Sequence, residues 1–271
     1  TFKLPQGRLE EVENNLGIKI VIDFAHTPES LKEALTYLRS QTKGKLIAVF
    51  GCAGQRDPRK RAKMGKISTQ IADLSVFTAE DPRTENIFDI LRKMRSRVTS
   101  RNFVSIPERG EAIAYALSVA KKGDIIGIFG KGHEQSMCWQ TFEHPWSDKE
   151  FVKSYLKSRK DIAAVVLAAG KGTRMKSQKP KVLREICGRP MLAYTLENLR
   201  KAGIQNIVVI VGFRKNLVIR RFGGAVKFAV QKNPKGGTAD SVKAGIPNVP
   251  PKCKTLVVIN GDDSAFYQPQ T

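Results

Sequence analysis

Short apolar runs, each closed by a Gly-, Asp- or Pro-marked turn and followed by apolar residues at helical spacing, recur along the whole chain. This alternation predicts a parallel α/β architecture. In the first stretch it predicts strands at Lys19–Asp23, Leu46–Phe50, Leu74–Thr78, Phe103–Ile106 and Ile125–Phe129, interleaved with helices at Glu29–Arg39, Lys60–Ala72, Ile87–Arg95, Glu111–Ala120 and Lys149–Ser158. A charged stretch, Lys157–Asp161, then separates two expected domains, residues 1–159 and 160–271. The second repeats the pattern: strand Ala163–Ala168, helix Met191–Ala202, strand Ile207–Val211, helix Asn216–Phe222, strand Lys227–Val230, helix Ala239–Ala244 and strand Thr255–Asn260. The expected fold class is therefore α/β, with two Rossmann-like domains built on mainly parallel sheets. Because the chain lacks an initiator Met and stops soon after a strand, the second domain is expected to be truncated and the whole to be a fragment.

Composition narrows the partners. A length of 271 residues suits two domains of roughly 100–200 residues each. The balance of 47 Lys+Arg against 25 Asp+Glu, a formal charge of +22, excludes an acidic disordered chain and points to an anionic partner. After residue 159 the excess is steeper, with 20 Lys+Arg against six acids. No apolar run approaches the roughly 18–20 residues that span a bilayer, and the start lacks the apolar core of a signal peptide, so a soluble, cytoplasmic protein without membrane partners is expected. Cys52, Cys138, Cys187 and Cys253 have no ligand-like spacing and read as ordinary thiols. A basic nucleic-acid-binding protein with vestigial sites is the competing reading. Aromatics at only 7%, with no stacking stripe, speak against it. Oligomeric state is not legible.

In a parallel sheet, ligands gather at the carboxyl ends of the strands, where helix N-termini offer free N–H groups. Four chemistry-bearing loops fall there in the first domain. Asp23 and His26 stand in AspPheAlaHisThrPro, where Asp23 can accept from a ribose and His26 can meet a base or phosphate; a helix cap and a packed imidazole remain the alternative. GlyGlnArgAspProArgLysArg places Arg56, Arg59, Lys60 and Arg61 at a helix N-terminus against the macrodipole, a conflict that a bound anion relieves. Glu80, Asp81 and Arg83 in GluAspProArgThrGlu suit a zwitterion, with carboxylates for an ammonium and a guanidinium fork for a carboxylate; an ordinary solvated turn is the alternative. GlyLysGlyHisGlu carries Gly130, Lys131, His133 and Glu134 and is not a phosphate-binding P-loop. His144 and Trp146 are expected to close a turn before a helix opened by Asp148.

Together these four motifs, over roughly Gly7 to Lys157, resemble the C-terminal domain of the Mur ligases, and within them the tripeptide-forming branch of peptidoglycan precursor synthesis. The resemblance implies that Arg8, Asp23 and His26 lie near ATP, and that Arg56, Glu80, Asp81, Arg83, Gly130 and Glu134 hold the incoming amino acid. In such ligases ATP phosphorylates the terminal carboxylate of a UDP-linked muramoyl dipeptide, and the amine displaces phosphate. An Arg at the place of Arg83 goes with meso-diaminopimelate. The family's usual Asp-Asn before Pro-Arg is Glu80-Asp81 here, and the added negative charge favours a more cationic diamino acid. The P-loop and magnesium-bridging groups of the family's central domain are not in this sequence.

In the second domain, LeuAlaAlaGlyLysGlyThrArgMet and the following LysProLys supply Gly170 and Gly172 for close backbone approach, and Arg174 and Lys181 as cations for a triphosphate. The pattern resembles the N-terminal domain of sugar-1-phosphate nucleotidyltransferases, especially those using N-acetylglucosamine 1-phosphate. The resemblance implies that Leu167, Gly170, Gly172, Thr173, Gln231, Gly237 and Thr238 form the nucleotide site for UTP, that Arg174 and Lys181 are catalytic, and that Asp262 binds Mg²⁺ bridging the phosphates. Two departures stand out: Gln231 to Gly237-Thr238 is one residue longer than usual, and GlyAspAspSer replaces Gly-Asp-Val-Pro, leaving the role of Asp263 open. The implied whole is a bifunctional peptidoglycan-precursor enzyme acting on small UDP-sugar and amino-acid substrates. The alternative is an active nucleotidyltransferase with an accessory Mur-like domain. With the sugar-binding half beyond Thr271, turnover of UTP and sugar phosphate is not expected of this chain by itself.

Overall fold

The computed structural model describes residues 5–157, 161–170, 178–224, 226–233 and 236–262. The chain divides into two compact units, Thr1–Lys153 and Ser154–Thr271.

Unit 1 runs β1 (Glu10–Glu11), β2 (Lys19–Asp23), α1 (Pro28–Ser40), β3 (Leu46–Phe50), α2 (Arg59–Ile71), β4 (Leu74–Phe77), α3 (Ile87–Arg95), β5 (Phe103–Ser105), α4 (Arg109–Val119), β6 (Ile125–Phe129), β7 (Ser136–Trp139) and β8 (Phe142–Pro145), and α5 (Asp148–Leu156) straddles the division. The sheet order is β1-β2-β6-β3-β4-β5, parallel except for β1. Every residue of the central strands β3 and β6 is buried, which is why they read as unbroken apolar runs. α3 turns Ile87, Ile90, Leu91 and Met94 inward at helical spacing. α1 starts in a reciprocal cap, with Thr27 Oγ1 accepting from Ser30 N–H and Thr27 N–H donating to Ser30 Oγ, and with Pro28 in its first turn.

The register matters most for function. Asp23 pairs with Phe129, Phe129 with Phe50, and Phe50 with Phe77, so four strands end level and their following loops start side by side.

Unit 2 runs β9 (Ile162–Ala168), a 3₁₀ turn at Lys181–Leu183, β10 (Glu185–Ile186), β11 (Arg189–Pro190), α6 (Met191–Lys201), β12 (Asn206–Val211), α7 (Lys215–Phe222), β13 (Lys227–Val230), α8 (Gly237–Gly245) and β14 (Thr255–Asn260). Its parallel sheet is ordered β13-β12-β9-β14, so the chain reverses direction across the sheet between β9 and β14. One face is a core of Val166, Leu192, Leu196, Val209, Val218 and Phe222.

Two hairpins escape the sequence pattern, β7–β8 and β10–β11. The first turns through Gln140 at φ 55°, where glycine or asparagine would have signalled the turn. It corrects the expectation for His144, which sits in β8 opposite Met137. α4 also begins earlier than its pattern suggests, at Arg109, because that side chain is buried against partners distant in sequence.

Candidate functional sites at the strand ends

In unit 1 the loops after β2, β6, β3 and β4 lie along one edge. Asp23, buried, accepts from Leu9 N–H (2.8 Å) with one oxygen and from Ala25 N–H (2.7 Å) with the other. It thereby fastens the entering segment to the sheet and leaves Arg8 over the Phe24 ring, 4.9 Å from its centroid. His26 and His133 flank the same ring at 4.7 and 5.4 Å. His26 Nδ1 donates to Phe24 O (2.9 Å), since a carbonyl only accepts, which leaves Nε2 as the acceptor. Gly7, at φ +69°, has no room for a Cβ, which would lie 2.2 Å from His133 N. The result is an aromatic and cationic surface built from three separate loops.

At the start of α2 the four cations part company. Arg61 is fully buried, forked onto Glu85 (2.8 and 2.9 Å) and bonded to Ala53 O. That fork, with help from Gln55 N–H, holds the Glu85 carboxyl down at about 2 although its partial burial opposes this. Lys60 Nζ donates to His26 O (2.7 Å), and Arg59 pairs with Asp57. Arg59 and Arg61 are therefore neutralised by acids of the same chain, whereas Lys60 is hydrogen-bonded but keeps its charge uncompensated. Arg56, exposed, makes no hydrogen bond or ion pair among the described residues.

The loop after β4 is held in left-handed conformations at Asp81 (φ 42°) and Arg83 (φ 50°). Lys131, only 1% exposed, reaches across from the loop after β6 to both Asp81 oxygens (2.9 and 3.0 Å) and to Glu134 (2.6 Å). Asp81 also accepts Cys138 N–H from β7, and Arg83 exchanges backbone hydrogen bonds with Cys138 and Gln140. Arg83 Nη1 donates to Gly54 O. Glu80 is buried with Oε2 lacking any partner, and burial pushes its carboxyl up to about 8. Gly130 (φ +105°) passes so close that a Cβ would sit 2.3 Å from that oxygen. Arg109 donates to Ala79 O and Phe129 O, the residues just before Glu80 and Gly130, and forks onto Asp148. Asp148, read from sequence as a helix-opening charge, is wholly buried. Neither this pair nor the Lys131 hub was visible in the sequence, because their partners lie far along the chain.

In unit 2 a cavity of about 300 Å³ opens at the carboxyl ends of β9 and β14. Leu167, Gly170, Lys181, Gln231, Gly237, Thr238 and Asp262 all line it. Gln231 Nε2 donates to Gly237 O (3.2 Å). Lys181 forms an ion pair with Asp262. Gly261 N–H bonds Leu167 O and ties β14 to β9 beside the cavity. Gly172, Thr173, Arg174 and Asp263 lie outside the described residues. Among the described residues no cluster of three or more metal-type side chains exists. A single carboxylate in a phosphate-sized cleft still fits Mg²⁺, which is held through one or two carboxylates plus substrate phosphates. The cysteines are free, and no helix among the described residues is long and apolar enough to cross a membrane.

Comparison with known proteins follows this division. Residues 7–132 match the family model "Mur ligase, glutamate ligase domain", and residues 164–271 match "MobA-like NTP transferase domain". The chain is 41% identical over 153 residues to the UDP-N-acetylmuramoyl-L-alanyl-D-glutamate–2,6-diaminopimelate ligase of Clostridium tetani, covering 56% of this chain and 32% of that protein. Against the enzyme of the same name from Bacillus licheniformis it is 45% identical over 150 residues, covering 55% and 30%. A solved structure of such a ligase superposes with a TM-score of 0.51 at 33% identity, covering 55% of this chain and 30% of that one. The chain thus spans about a third of the length of the curated relatives it matches. The two matches fall one on each unit: residues 7–132 are similar to the glutamate ligase domain of Mur ligases, and residues 164–271 to a MobA-like NTP transferase domain.

Proposed function

We propose that unit 1 is the amino-acid-accepting domain of an ATP-dependent ligase that adds a diamino acid, meso-diaminopimelate, to UDP-N-acetylmuramoyl dipeptide, and that unit 2 is a nucleotidyltransferase module for UTP and a sugar 1-phosphate. The observation that carries the first part is the level edge of β2, β6, β3 and β4. There an unpartnered exposed cation, Arg56, shares a set of packed loops with Arg83 and with Glu80, an unpartnered buried carboxyl. Arg8, Asp23 and His26 serve the nucleotide, Asp23 by fixing the segment that carries Arg8. Arg56 and Arg83 receive carboxylate. Glu80 and Gly130 shape the amine end, and Asp81 and Glu134 take part through Lys131. The names of the relatives support diaminopimelate as the added residue.

In unit 2 the cavity is read as the UTP site, with Leu167, Gly170, Gln231, Gly237 and Thr238 around the nucleoside and Lys181 on the phosphates; the resemblance assigns Gly172, Thr173 and Arg174 to the same nucleotide. Asp262 would hold Mg²⁺, which when bound supplies positive charge at the phosphate oxygens. Lys181 neutralises Asp262 within the protein itself.

Two experiments test the reading. Residues 7–153 grafted in place of the corresponding domain of a diaminopimelate-adding relative should sustain ATP-dependent amide formation, and Arg56→Ala in the graft should raise the KM for diaminopimelate at least tenfold. A folded graft that binds ATP yet incorporates no diamino acid would refute the ligase assignment. For unit 2, calorimetry with Mg-UTP should show binding that Asp262→Asn weakens; unchanged affinity would refute the site.

A further inference from the structure

We propose that Lys131 decides which diamino acid unit 1 prefers, by taking up the charges of Asp81 and Glu134 so that a substrate ending in a bare ammonium gains no advantage there. The inference rests on the amino-acid reading of unit 1.

An ammonium has three protons and needs partners for each when it is removed from water. Lys131 Nζ finds three acceptors, Asp81 Oδ1 and Oδ2 and Glu134 Oε2. Its side chain is 2% exposed, whereas Asp81 is 17% and Glu134 39% exposed, so the lysine is the buried centre and the acids form its outer side. Asp81 accepts one more bond, from Cys138 N–H, and its left-handed backbone is locked by the adjacent β7 strand. By charge alone, the Glu80-Asp81 pair would turn this loop toward cationic substrates. The geometry offsets the charge of Asp81: with Lys131 in place the trio of Lys131, Asp81 and Glu134 carries one net negative charge, and without it two. The cations nearby, Arg83 and Lys60, are bonded to the carbonyls of Gly54 and His26, which leaves their charge uncompensated. A diamino acid whose far end carries both ammonium and carboxylate suits such balanced surroundings better than one with an uncompensated ammonium. At separations near 6–10 Å and an effective dielectric of about 20, one unit of charge changes affinity for an ammonium by roughly ten- to a hundredfold.

The test is titration calorimetry of the full chain with meso-diaminopimelate and with L-lysine. The wild-type chain should prefer diaminopimelate. Lys131→Met should shift the affinity ratio at least tenfold toward L-lysine, and adding Asp81→Asn should reverse most of that shift. Because Lys131→Met leaves two carboxylates facing each other and risks unfolding, the milder pair Asp81→Asn and Glu134→Gln supplies the opposite arm, each expected to move the ratio away from L-lysine. Folded variants with an unchanged ratio overturn the proposal while leaving the amino-acid reading in place. A wild-type chain that binds neither diamino acid at millimolar concentration overturns both.

Discussion

Replacing Asp148 by Asn tests the physical account of the unit 1 edge most directly. The Arg109 guanidinium forks onto Asp148 (2.7 and 2.6 Å) and bonds Ala79 O (3.1 Å) and Phe129 O (3.0 Å), with both side chains of the pair fully buried. Trp146 Nε1 donates to the same carboxylate (2.8 Å). Asp148→Asn keeps the shape but leaves the guanidinium as an uncompensated buried charge, which costs about 3–5 kcal/mol. For the unit spanning Thr1–Lys153, an unfolding entropy of about 2.1 cal/mol/K per residue converts this into a fall in Tm of about 10–15 °C. Both tryptophans, Trp139 and Trp146, lie in unit 1, so tryptophan fluorescence during a thermal ramp reports this unit alone. The double replacement Arg109→Met with Asp148→Leu removes both charges and should cost less than Asp148→Asn alone. A loss below about 1 kcal/mol for Asp148→Asn, or a double variant worse than either single one, would show that the pair does not hold the ends of β4 and β6 together.

Other perturbations follow from the same contacts. Burial raises the Glu80 carboxyl from 4.5 to about 8, so the folded state binds its proton more tightly than the unfolded chain; stability should fall as pH rises between those values, and Glu80→Gln should flatten that slope in denaturant titrations across pH. The Glu85 carboxyl is lowered to about 2, so its contribution is present above pH 4.5 and fades as pH falls toward 2; Glu85→Gln should destabilise by about 1–3 kcal/mol at pH 7, with the difference from wild type closing in acid. Gly130→Ala meets both a φ of +105° and the Glu80 oxygen, and should cost more than about 1 kcal/mol in chemical denaturation, while a neutral result would mean the loop is free to relax. In unit 2, Gln231→Ala should weaken UTP binding about tenfold by calorimetry, the scale of one hydrogen bond to a ligand.

The α/β alternation, the central strands and the four loops of unit 1 were readable from the residues, because strand and helix periodicity and Gly or Pro punctuation are local properties. In unit 2, Leu167, Gly170, Lys181, Gln231, Gly237, Thr238 and Asp262 were named through the family resemblance, and the strand ends bring them to one cavity. The fates of the charges were not readable. Arg61 meets Glu85 from 24 residues away, Arg109 meets Asp148 from 39, and Lys131 meets Asp81 from 50. A string of basic residues looks alike whether its members await a phosphate or are already bonded to a carboxylate of the same chain. Only the strand order, β1-β2-β6-β3-β4-β5, sets which loops become neighbours, and with that which cations remain for a ligand. Removing a charge from water demands a partner at hydrogen-bond distance, and that partner is chosen by packing across the sheet, which local pattern does not encode.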